Sequence, residues 1–182
     1  MEILENKEQW KADYDSGFVA SRETTGQFDW KQYTYQKNKT GVAGPAIDLG
    51  NSRMAFITTS GGYVPDSQEP FDKENPYGDY SIRTFPLTTP LETIAYSHDH
   101  YDQTAVNDDP QVLLPFGHLQ TLVDEGIIGE LTPTAISFMG YQPDASRVVD
   151  EMFPQILEIL QKEKHKPPCL SRLDQSALSQ LD

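Results

Sequence analysis

The chain has one cysteine, four histidines and half as many basic as acidic residues, and each shortage closes off a class of protein. With Cys169 alone, no intrachain disulfide can form and no cysteine-rich zinc site can be assembled. No stretch is apolar over the roughly 18 residues that a transmembrane helix requires, and Met1-Glu2-Ile3-Leu4-Glu5-Asn6-Lys7 lacks the apolar core of a secretory leader. A soluble, cytoplasmic protein is expected. Fourteen Lys and Arg face 28 Asp and Glu, for a formal charge of -14. That balance disfavours phosphate backbones and anionic lipid surfaces, so neither nucleic acid nor membrane is expected as a partner.

The histidines that do occur are concentrated. Ser97-His98-Asp99-His100-Tyr101-Asp102 packs two imidazoles, two carboxylates, a phenol and a hydroxyl into six residues, and His118 follows not far behind. Imidazole titrates near neutral pH, so this run holds most of the chain's capacity for proton exchange there.

Three regions differ in character. Residues 1–44 are polar with scattered rings (Trp10, Tyr14, Phe18, Phe28, Trp30, Tyr33, Tyr35), sustain neither a helical nor a strand period, and read as an irregular arm packed on the domain or on another subunit. Residues 45–164 carry the regular patterns and form one α/β domain. Residues 165–182 look foreign to the rest.

Within the domain, Met54 to Thr59 is an apolar, β-rich run ending at Ser60-Gly61-Gly62, the punctuation expected after a buried strand. A loop rich in Pro, Gly and Asp reaches Asp79. Ser81 to Pro86 and Glu92 to Ser97 read as further strands, and Ala135 to Gly140 as another. Val112, Leu113, Phe116, Leu119, Leu122 and Val123 predict a helix over about 110–125. Val148, Val149, Met152, Phe153, Ile156, Leu157 and Leu160 predict a second over about 148–164, with Pro154 as a kink. Strands alternating with helices predict an α/β fold, a mainly parallel sheet with flanking helices, incomplete at the C-terminus. Ligands of such sheets bind at the carboxyl ends of the strands, which would gather Ser60 to Gly62, His98 to Asp102 and Gly140-Tyr141 at one edge.

Three chemistries fit the histidine run. His98-x-His100-x-Asp102 could face a divalent metal, but the similar run of metallo-β-lactamase-like hydrolases adds a further His where this chain has Gln103, and no second His-rich segment completes a shell. No metal is therefore expected. The same side chains could merely end a strand and bind water. The preferred reading is a small carboxylated substrate held by His98, His100, Tyr101 and Asp102, with Ser60, Gly61 and Gly62 supplying hydroxyl and backbone N–H donors.

Ser52 to Gly62, Glu69-Pro70-Phe71-Asp72, Ser97 to Asp102, Leu122 to Gly129 and Ser137-Phe138-Met139-Gly140, taken in order, resemble the selenoprotein B family of glycine, sarcosine, betaine and D-proline reductases. The resemblance covers about Pro45 to Lys164, and in size and motif order the chain is similar to the selenocysteine subunit of the D-proline reductase type. It implies an oxidoreductase subunit in which a selenol, largely ionised near neutral pH, attacks carbon next to nitrogen, the C–N bond is cleaved reductively, and a dithiol is oxidised to the disulfide. It further implies an oligomer with a partner subunit bearing a pyruvoyl group, no cofactor in this chain itself, and a role for the histidine run in orienting substrate or moving protons.

The departure from the family is at the nucleophile. Where relatives of this kind carry a strand and a selenocysteine-Pro-x-Cys turn, this chain reads His165-Lys166-Pro167-Pro168-Cys169 and onward to Asp182. Synonymous codons exist under which a shifted frame of the tail encodes a strand, then UGA across Leu173 and Asp174, then Pro-x-Cys. The tail is accordingly expected to be an out-of-frame image of that segment, and the polypeptide as written to be inactive. The alternative is a non-catalytic module that binds a small anion or a metal.

Overall fold

A computed structural model describes residues 4–35, 38–40, 44, 46–97 and 104–164. The apolar run after Ser52 forms strand β1, Arg53–Thr58, and the turn beyond it leads to the short β2, Gly62–Tyr63. Strands β3, Arg83–Pro86, β4, Ala95–Tyr96, and β5, Glu130–Ser137, complete the set among the described residues. β5 lies at the centre of a three-stranded sheet in the order β1, β5, β3, while β2 and β4 form a separate antiparallel pair.

The sheet is mixed and small, which corrects the expectation of a mainly parallel one. β1 runs parallel to β5, with Phe56 opposite Ala135 and Thr58 opposite Ser137. β3 runs antiparallel to it, with Phe85 opposite Ala135 and Arg83 opposite Ser137. The physical cause is the connection. Residues 59–82 form turns, loop and the short β2 without a helix to carry the chain back to the amino end of the sheet, so it re-enters in the opposite direction. β5 also begins earlier than its apolar run suggests, because Pro133 falls where the β1 register shifts between Met54 and Phe56 and so interrupts no regular ladder.

Alternation of side chains fixes what each face carries. Phe56, Ala135 and Phe85 share one face and meet helix α4, Phe116–Asp124, through Phe116, with Ile94 and the fully buried Leu114 closing this core. Helix α3, Thr104–Asp108, and a 3-10 turn, Pro110–Val112, precede α4, so the single helix expected over 110–125 is divided before Phe116. Thr134 and Ile136 point to the other face, where the Thr134 hydroxyl donates to the Glu163 carboxylate at 3.2 Å. Glu163 ends α6, Phe153–Glu163, which follows α5, Ala145–Arg147, and a π-helical turn, Val148–Met152. Pro154 sits in the first turn of α6, a position that needs no intrahelical donor. Arg53 joins the start of β1 to both neighbours: its guanidinium pairs with Glu130 and donates to the Glu163 carbonyl at 2.8 Å, satisfying an orphan at the end of α6.

Within the stretch read as an irregular arm, residues 7–25 are helical. α1, Lys7–Asp13, a π-helical segment, Tyr14–Val19, and α2, Ala20–Thr25, succeed one another without a break. Trp10, Tyr14 and Phe18 recur every fourth residue and bury one stripe. The stripe packs on the domain: the Tyr33 hydroxyl donates to the Pro143 carbonyl at 3.0 Å and the Lys11 ammonium pairs with Asp144 at 2.9 Å. Among the described residues no helix is long and apolar enough to cross a membrane.

Candidate functional site

The parallel pairing of β1 and β5 brings their carboxyl ends together, and the chain interlocks there. The Phe138 N–H donates to the Thr58 carbonyl at 3.0 Å, the Gly61 N–H returns to the Phe138 carbonyl at 3.1 Å, and Ser60 forms a bridge with Met139. Gly61 holds φ at 67°, a left-handed conformation that side chains disfavour, so the turn needs glycine at this position. Gly62 then enters β2 opposite Tyr96 of β4. One residue beyond Tyr96, Ser97 donates its N–H to the Gly61 carbonyl at 3.0 Å, and its hydroxyl accepts the Phe71 N–H at 2.9 Å.

Of the residues predicted from sequence, Ser60, Gly61 and Gly62 therefore meet at one edge with Met139 and Ser97. His98, His100, Tyr101 and Asp102 lie outside the described residues. Among the described residues no group of three His, Cys, Asp or Glu could hold a metal ion. Tyr141 turns to a neighbouring loop, where its hydroxyl donates to the Pro76 carbonyl at 3.0 Å.

Two hydroxyls at this edge are unusual. The Ser60 and Ser137 oxygens are buried and have no hydrogen-bond partner among the described residues. Ser60 is 7% exposed and Ser137 fully buried. A buried hydroxyl has a proton to give and normally finds an acceptor.

Beside the turn lies a cavity of 210 Å³, with Met139 on its wall and Asp72, Lys73, Glu74, Asp79 and Tyr141 around it, three carboxylates and one ammonium. Met139 thus touches both the hydroxyl-bearing turn and an acidic recess. Gly78 makes the approach of the two loops possible: it has φ of 82°, and a Cβ there would lie 2.8 Å from the Tyr141 carbonyl oxygen. Burial alone would raise the Asp79 carboxyl, but the Ser81 hydroxyl, the N–H groups of Asp72 and Ser81 and the Arg83 charge hold it below its ordinary value. It is a carboxylate at neutral pH, accepting from the Asp72 N–H at 2.8 Å.

Arg83 and Asp79 are site residues that the sequence reading missed. The Arg83 guanidinium lies 4.5 Å from the centre of the Phe71 ring and donates to the Glu69 carbonyl at 2.9 Å, the Pro70 carbonyl at 3.3 Å and the Ser81 hydroxyl at 2.9 Å. It shapes the Glu69 to Asp72 loop as a guanidinium fork can and an ammonium cannot. The signal was present in Asp79-x-Ser81-x-Arg83, where alternate polar residues on an extended chain share one side.

The arrangement offers donors at the turn and carboxylates in the recess. Met139 is common to both, and Lys73 stands among the carboxylates.

Comparison with known proteins shows what the chain is similar to. A family model described as glycine/sarcosine/betaine reductase selenoprotein B matches residues 25–165. D-proline reductase subunit gamma of Acetoanaerobium sticklandii is 30% identical over 116 residues, which cover 64% of this chain and 46% of that protein. Sarcosine reductase complex component B subunit beta of Peptoclostridium acidaminophilum is 31% identical over 100 residues, covering 53% of this chain and 22% of that protein. The chain thus spans less than half the length of either relative. No solved structure matches it.

Proposed function

Because the chain belongs to the glycine/sarcosine/betaine reductase selenoprotein B family, we propose that it is a cytoplasmic subunit of a reductase complex that binds a small amino-acid-like substrate whose C–N bond is cleaved. The observation that carries this reading is the meeting of the Ser60 turn and the acidic recess on the two sides of Met139. Glycine, sarcosine, betaine and D-proline all place an anionic carboxylate close to a nitrogen that is cationic at neutral pH, and the site offers a complement to each group.

The redox step requires two electrons and two protons: the C–N bond breaks, the carbon gains one hydrogen and the nitrogen another, and a dithiol becomes a disulfide. A selenol and a pyruvoyl group on a partner subunit would supply that chemistry in this family. The sequence as written contains no selenocysteine, and its own residues bind and orient. The Ser60 hydroxyl donates to the carboxylate, Asp79 and Asp72 face the ammonium, and the histidine run next to Ser97 exchanges protons at the leaving nitrogen.

Titration calorimetry with D-proline, sarcosine and glycine betaine tests the binding half of this reading. At least one should bind with Kd of about 1 mM or tighter; three flat titrations would sink it. Turnover with dithiothreitol should be absent, and measurable turnover would show that the nucleophile is not the missing selenol. Sequencing the gene past the Lys164 codon tests the origin of the tail: an alternative frame with UGA followed by Pro-x-Cys is expected, and its absence would make residues 165–182 a genuine terminus.

A further inference from the structure

The two edges of the three-stranded sheet are finished differently. On β3 the Leu87 N–H donates inwards to the Pro133 carbonyl at 2.9 Å, so alternation turns the backbone groups of Thr84 and Pro86 outwards. The Thr84 carbonyl there accepts from the Gln68 amide at 2.8 Å, and Pro86 has no N–H to offer, so that edge is closed. On β1 it is the carbonyls of Ser52 and Thr58 that turn inwards, to the Glu130 N–H at 3.1 Å and the Phe138 N–H at 3.0 Å. The N–H and carbonyl groups of Arg53, Ala55 and Ile57 therefore point outwards, and β1 has no second neighbour among the described residues.

β1 carries none of the features that keep an edge strand solitary. It has no proline, and its one charge, Arg53, is drawn back onto Glu130 and the Glu163 carbonyl. Ile57 shares the α6 side of the sheet with Ile136 and is 43% exposed, and Leu157 of α6 is 54% exposed. Such an edge is completed by another strand, and β1 is complementary to itself. With a second copy turned about a two-fold axis at Ala55, Ala55 meets Ala55 and Arg53 meets Ile57 of the second copy. Each is a hydrogen-bonded pair, for about six bonds between the chains. The smallest side chain of the strand's outward set stands at the axis, where identical residues meet. Arg53 faces Ile57 rather than another Arg53, and its aliphatic stem covers that side chain.

We propose that the outer edge of β1 is an interface between two copies of this chain, paired antiparallel so that their sheets join in the order β3, β5, β1, β1, β5, β3. None of the edge residues lines the recess, so the interface and the ligand site are independent. Each copy bears a formal charge of -14, so the edge must outweigh a long-range repulsion that salt screens, and added salt should tighten the dimer. One strand edge falls short of a standard interface, and a dissociation constant on the order of 10 μM is expected.

The test is sedimentation velocity on the full chain, from about tenfold below to about tenfold above that constant, where a monomer should give way to a dimer. Ile57→Lys places a charge on the edge at an exposed position; it should keep its cooperative thermal transition and stay monomeric over the whole range. Val112→Lys, at a residue 61% exposed in the 3-10 turn before α4, should dimerise as the unsubstituted chain does. Register is read by mild oxidation of Ala55→Cys and Ile57→Cys, each combined with Cys169→Ser. Ala55→Cys should cross-link to itself, because directly opposed positions lie within disulfide reach. Ile57→Cys should not, since its counterpart lies four residues, about 13 Å, along the paired strand. If Ala55→Cys loses its thermal transition, Ile57→Lys decides alone. An unsubstituted chain that is monomeric throughout, a dimer that survives Ile57→Lys or weakens with salt, or equal cross-linking at both positions overturns the proposal.

Discussion

The aromatic helix at the amino end and the strand ends around Ser60 are assembled on opposite principles. In the helix, rings satisfy rings: Phe18 lies 4.2 Å from Phe28 in a stacked pair and meets Trp30 and Tyr33 edge-on, and the indole N–H of Trp10 donates to the Thr34 carbonyl at 2.7 Å. At the strand ends, two buried serine hydroxyls have no partner among the described residues and a turn is held in a left-handed conformation. One region has its interactions completed within the chain. The other holds unused hydrogen-bonding capacity, and that is the property expected of a surface completed by a ligand.

Truncation of the helix core should give the larger losses. Phe18 has no solvent exposure and four ring partners, so Phe18→Ala should destabilise the protein by about 3–5 kcal/mol. For a chain of this size that corresponds to a fall in Tm on the order of 10 °C, measurable by circular dichroism. Affinity for sarcosine, measured well below the transition, should not change; a parallel loss of binding would mean that the two regions are not separable.

Asp144 is the polar joint between that helix and the domain. Its carboxylate accepts from the N–H and hydroxyl of Ser146, capping α5, and pairs with Lys11. Burial pushes its pKa up, but the Ser146 hydroxyl and the Lys11 ammonium outweigh burial and leave it below its ordinary value of 3.8. Asp144→Asn should cost about 2 kcal/mol at pH 7, less than a fully buried pair because Lys11 is partly exposed. A depressed carboxyl contributes stability that is full above the unfolded value and is lost as pH falls through the folded one. The difference between the two proteins in urea melts should therefore be constant from pH 7 to about 5 and shrink below about pH 4. A gap that persisted at pH 2 would show that the cap, rather than the charge, does the holding.

The two regions were also unequally legible. Strand β1, the Ser60 turn and the helices after Phe116 follow from apolar period and glycine punctuation, because their burial repeats along the chain. Trp10, Tyr14 and Phe18 have helical spacing too, but these three large rings stand among mostly polar residues, and the ring partners Phe28 and Tyr33 come from the following segment. The direction of β3 could not be read from its own residues, since a strand's sequence is the same in either direction and only the connection decides. Ser60 to Gly62 was legible as a turn, whereas Arg83 was not legible as a site residue: its role rests on the Glu69 and Pro70 carbonyls, which carry no side-chain signature.

The smallest effect should be opposite in sign. Ser137 is enclosed between Thr58 and Arg83 in the sheet register, and its hydroxyl is unpaired. Leaving a hydroxyl buried without a partner costs on the order of 1–3 kcal/mol, and removal of a single oxygen leaves little void, so Ser137→Ala should stabilise the protein by about 1 kcal/mol. Ser60→Ala should stabilise it similarly, because its hydroxyl is also unpaired. The two differ in what they do to binding. Ser60 stands in the turn bridged to Met139 on the wall of the recess, so on the proposed reading its loss should weaken sarcosine about tenfold, the order expected for one hydrogen bond to a charged group. Ser137 lies within the sheet between β1 and β3, and its loss should leave affinity unchanged. If both variants gained stability and both kept full affinity, the unpaired hydroxyls would be a packing compromise of the sheet; a gain in stability coupled to loss of binding at Ser60 alone identifies the unused proton as the one reserved for the ligand.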